Sequence, residues 1–81
     1  MTMIHLIQIE QDSTEVIERA RLEMASGVRR IASGKDQHIE VMMFMGYCRA
    51  LSHERLVSLG VLVQLEEEMD RAIEALKTQG K

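Results

Sequence analysis

From Ile17 onward, apolar side chains return at alternating intervals of three and four residues, the period of a helix that buries one stripe and wets the rest. Ile17, Ala20, Met24, Gly27 and Ile31 form the first such stripe, with Val28 beside it. Glu18, Arg19, Arg21, Glu23, Arg29 and Arg30 fall off it and are expected in solvent. Asp12 followed by Glu15 has the form of a capping box, in which each side chain takes a backbone N–H that the first turn leaves unpaired. Gly34 lacks the Cβ that resists a left-handed closing turn. Together these signals predict a first helix over residues 12–34, starting near Ser13.

The next stretch is apolar on more than one side. Val41, Phe44, Met45, Cys48, Leu51, Leu56 and Leu59 mark one broad face, and Ile39, Met42, Met43, Ala50 and Val57 mark another. Asp36 opens it as a cap. Ser52 offers the cap of a new helix and Gly60 a later ending; the second is preferred, because Leu-Gly-Val-Leu reads as a helix end, a glycine turn and a residue folding back. A second helix over 36–59 is predicted on that basis. A third, over 62–79, carries the stripe Leu62, Leu65, Met69, Ala72 or Ile73, and Leu76. Before the first helix, residues 1–11 are rich in isoleucine, and the alternation of Met3, His5, Ile7 and Ile9 favours a short extended strand over a helix.

The expected fold is all-α: a single domain over residues 1–81, built as a three-helix antiparallel bundle or helical hairpin with a short N-terminal extended segment. An 81-residue chain buries only about 60% of its unfolded surface. Chains this small usually add a disulfide, a metal or a second subunit. Cys48 is the only cysteine, and Cys48 with His5, His38 and His53 matches no four-ligand zinc spacing. Association remains, and a second helix apolar nearly all round is where a dimer is expected to form.

Charge narrows the partners. Ten basic and thirteen acidic residues give a formal −3, which disfavours nucleic acid. Over residues 1–35 the cations Arg19, Arg21, Arg29, Arg30 and Lys35 are matched by Glu10, Asp12, Glu15, Glu18 and Glu23. Ion pairs within a helix, such as Glu15 with Arg19, account for most of them. Only Arg29, Arg30 and Lys35 make a locally basic patch. A strand followed by two helices resembles ribbon-helix-helix repressors in element order alone, since the strand segment lacks an array of Lys, Arg, Asn or Thr for reading DNA. No basic leader or membrane-spanning run is read, so the chain is expected in the cytoplasm.

Catalytic chemistry finds no constellation. His53-Glu54 begins the zinc-protease pattern His-Glu-x-x-His, but Val57 stands where its second histidine must be. Cys48 has no base beside it and reads as a buried, inert thiol. Glu66, Glu67 and Glu68 are adjacent helix positions that point in different directions. Five single glycines make no phosphate loop, but Gly27 and Gly46 sit inside predicted helices, as sites of close backbone approach or of simple tolerance. No cofactor, metal or catalytic residue is assigned. The sequence therefore reads as a small interaction module, an adaptor, chaperone-like protein or inhibitor. Its expected partners are a second copy and a further protein, met through Met42, Met43, Phe44, Met45, Tyr47 and Leu51. Tyr47 is the favoured anchor. A DNA-binding regulator using the basic end of the first helix is the alternative.

Overall fold

A computed structural model of the chain describes residues 10–79. The predicted N-terminal strand lies outside the described residues. Three helices run in sequence: α1 (Thr14–Ala32), α2 (Gln37–His53) and α3 (Leu59–Gln79), with no strand among the described residues.

The start of α1 departs from the capping box. Ser13 is the cap, and its hydroxyl accepts from the Val16 N–H at 3.2 Å. Asp12 sits one residue earlier with φ +61° and turns elsewhere. Its N–H donates to the Leu56 carbonyl at 2.8 Å, and its Oδ1 accepts from the Ser58 N–H at 2.7 Å. The far end closes as the sequence predicts. Gly34 takes φ +109° and donates to the Ile31 carbonyl, while Lys35 donates back to the Arg30 carbonyl. This 5→2 and 6→1 pair satisfies carbonyls that the last turn leaves open. Asp36 then caps α2 by accepting from the Ile39 N–H at 3.1 Å.

The second turn corrects the sequence reading. α2 ends at His53, six residues before the expected end at Leu59, and Gly60 lies inside α3. The closing residue is Arg55, with φ +63°. It donates to the Ser52 carbonyl, and Leu56 donates to the Leu51 carbonyl, the same bond pair made at Gly34. Ser52 caps nothing and belongs to the last turn of α2; the cap of α3 is Ser58, whose Oγ accepts from the Val61 N–H at 3.2 Å. Val57, expected on a face of the second helix, is instead a buried plug in this turn, and Leu59, expected on the second helix's other apolar face, lies in α3 and is 70% exposed.

Turns of four and five residues make successive helices antiparallel, and the Asp12–Ser58 bond sets α1 and α3 side by side in the same direction. Each helix packs on both others. The core they enclose holds Ala20 and Met24 from α1, Phe44 and Cys48 from α2, and Leu62, Leu65, Met69 and Ile73 from α3. The stripes read from α1 and α3 thus face inward.

One ion pair joins each pair of helices. Arg21 of α1 grips Glu68 of α3 with both ends of its fork, Nε to Oε1 at 3.0 Å and Nη2 to Oε2 at 2.8 Å. Arg30 Nε of α1 meets Glu40 Oε1 of α2 at 2.9 Å, and Arg49 Nε of α2 meets Glu66 Oε2 of α3 at 3.4 Å. The expected pairing of Glu15 with Arg19 within one helix is not among the ion pairs of the described residues.

Candidate functional site

Helix α2 spends only one of its two apolar faces on the core. Phe44 and Cys48 point inward, while Ile39, Met42 and Met43 are 55–58% exposed. Helical spacing puts these three on one side with Gly46 and Ala50, both exposed as well. Three large, more than half-exposed side chains on one helix face form a contiguous apolar strip rather than scattered surface residues. Across the cleft that Arg49, Ser52 and His53 line, α3 adds Leu59 and Val63.

Gly46 lies in the middle of this strip. A Cβ built there meets nothing within 4 Å. Glycine inside a helix costs about 1 kcal/mol relative to alanine, and no contact in this fold requires it at 46. Gly27 differs. It is buried between helices, where a Cβ would lie 3.6 Å from Met69 Cε and 3.7 Å from Glu40 Oε1, ordinary contacts at a close approach.

The expected interface set is divided by the fold. Met42 and Met43 belong to the exposed strip. Phe44 is 4% exposed and belongs to this chain's own core, so it offers no surface to another chain. Met45, Tyr47 and Leu51 are half-buried, with Tyr47 and Leu51 packed against the core. Tyr47 lies toward α1, beside Met43 in a groove with Glu23, Arg30 and Glu40. Burial pushes its hydroxyl above the ordinary value, and the nearby Glu23 carboxylate adds to the effect.

The basic patch is likewise divided. Arg30 is committed to Glu40, Arg29 donates to the Ser26 hydroxyl at 3.2 Å, and Lys35 is exposed. Glu40 is a site the sequence reading passed over. It is the one buried charged residue among those described, 7% exposed, at helical spacing before Phe44 and Tyr47. A charge on the margin of an apolar stripe was the available signal, and a buried carboxylate needs such a partner as Arg30.

Other chemistry is not assembled. Burial pushes the Cys48 thiol up to about 11, which keeps it protonated and unreactive. Among the described residues no group of three or more His, Cys, Asp and Glu is placed to hold a metal ion. No helix is long and apolar enough to cross a membrane among those residues. The chain matches no protein-family model, and no curated protein or solved structure matches it.

Proposed function

We propose that this chain is a protein–protein interaction module that works by laying the outer face of α2 against another protein surface, as an adaptor or inhibitor does, and not by catalysis. The observation that carries this reading is the exposure of Ile39, Met42 and Met43 on a helix whose opposite side buries Phe44 and Cys48 in the core. Burying a large apolar side chain completely contributes about 1.5–3 kcal/mol, so covering three that are half in water contributes on the order of 1 kcal/mol each. A module of this kind needs no cofactor, and its specificity comes from the charged and polar residues that rim the strip, Arg49 and His53 among them.

The double variant Met42→Glu with Met43→Glu tests it. Both side chains are exposed, so helicity should be unchanged and the thermal midpoint, compared at dilutions where the parent is dissociated, should stay within a few degrees of the parent. Association should be lost, read both as mass by light scattering over a wide concentration range and as cross-linked adducts in the native cell. Association unchanged in both readouts would show that the face does not carry the function.

A further inference from the structure

We infer that the surface seated on the outer face of α2 is a second copy of this chain, its α2 packed antiparallel with Gly46 at the crossing; this rests on the reading of that face as an interaction surface. The first support is area. Ile39, Met42, Met43, Leu59 and Val63 are 44–70% exposed, and at roughly 100 Å² each they hold on the order of 500 Å² of apolar surface. One side of a standard interface covers about 800 Å², a little over half of it apolar. The chain thus carries the apolar area that its own half of a dimer requires.

The second support is the spacing about Gly46, which is self-complementary. Met42 stands four residues before it and Ala50 four residues after. With a two-fold axis at Gly46 and the helices antiparallel, each Met42 lies over the partner's Ala50, where a small side chain leaves room. Gly46 lies over the partner's Gly46, where two missing Cβ atoms let the backbones meet. Such an arrangement closes on itself and uses one patch twice. A parallel pair would instead set methionine on methionine at one end and alanine on alanine at the other, crowding the first and leaving a void at the second. It would also align the two helix dipoles, which the antiparallel pair opposes. Gly46, where an added Cβ would meet nothing inside the chain, acquires a use.

Cysteine cross-linking of the full chain tests the geometry. Cys48 is completely buried and stays silent. Met42→Cys with Ala50→Cys is treated with diamide, and light scattering gives the mass before oxidation. The expected result is a mass twice the 9.3 kDa of one chain. Covalent dimer should then form in the double variant at least tenfold faster than with Met42→Cys alone or Ala50→Cys alone. Met42→Cys alone linking as fast as the pair overturns the antiparallel arrangement. A mass of 9.3 kDa at every concentration overturns the second copy while leaving the interaction face to be judged on other partners. A dimer that survives Met42→Glu with Met43→Glu removes the interaction face itself. Circular dichroism of each variant separates these outcomes from a failure to fold.

Discussion

The Asp12 carboxylate accepts a hydrogen bond at 2.7 Å from the backbone N–H of Ser58, 46 residues further along the chain. The bond holds the entry of α1 to the cap of α3, and the same residue's N–H holds the Leu56 carbonyl. A hydrogen bond to a charged group contributes about 1.5–3 kcal/mol. Asp12→Ala should therefore lower stability by about 2 kcal/mol, measured as the shift of a urea midpoint at constant slope. Alanine also tolerates φ +61° poorly. Asp12→Asn keeps an acceptor oxygen and suits positive φ, so it should lose less than half as much; equal losses would mean that the bond contributes nothing beyond the turn.

Arg55 closes α2 in a left-handed conformation that glycine adopts without strain and other L residues at a cost of roughly 1–2 kcal/mol. Arg55→Gly should raise stability by about 1 kcal/mol, since the relief of strain exceeds the added chain entropy. In a domain of this size that is a thermal midpoint higher by about 4–8 °C. A fall in the midpoint would show that the arginine side chain supports the turn in a way its backbone does not reveal.

These two positions also explain what the sequence made legible and what it hid. The turn between α1 and α2 was readable because Gly34 and Asp36 are the residue types such a turn favours. The turn between α2 and α3 was not, because an arginine holds the place where glycine is the usual signal and Gly60 stands nearby as a decoy. Asp12 has the right spacing for a cap, but the local pattern cannot show a backbone N–H that arrives from residue 58. The ion pairs were misassigned for the same reason. Spacing reveals neighbours on one helix, whereas Arg21, Arg30 and Arg49 all find carboxylates on another. For the exposed face of α2, the sequence shows a helix apolar on more than one side. Which of its two faces the chain keeps for its own core was settled only by packing, which took Phe44 inward and left Met42 and Met43 outside.

The Arg21–Glu68 pair gives stability a pH dependence. Hydrogen bonding to Arg21 holds the Glu68 carboxyl below its ordinary value of 4.5, against the opposing effect of burial, and the bond from Gln64 helps. A carboxyl whose folded value is depressed adds stability that is present above its unfolded value and is lost as pH falls through the folded one. Glu68→Gln should thus destabilise the chain at neutral pH, by an amount that shrinks once pH falls well below 4.5. Urea midpoints of parent and variant across the acid range check this. A difference that stays constant with pH would assign the effect to packing rather than charge.

Gly46→Ala tests the central claim most directly, because the fold and the proposed interface demand opposite things of that residue. Within one chain the added methyl meets nothing within 4 Å and removes a helical glycine, so the isolated fold should gain about 1 kcal/mol. In the proposed dimer the same methyl would stand where two backbones meet. The measurement is the association constant by sedimentation equilibrium, on parent and variant side by side. The account predicts association at least tenfold weaker in the variant while the dilute monomer melts no lower; association as strong as the parent's would contradict it.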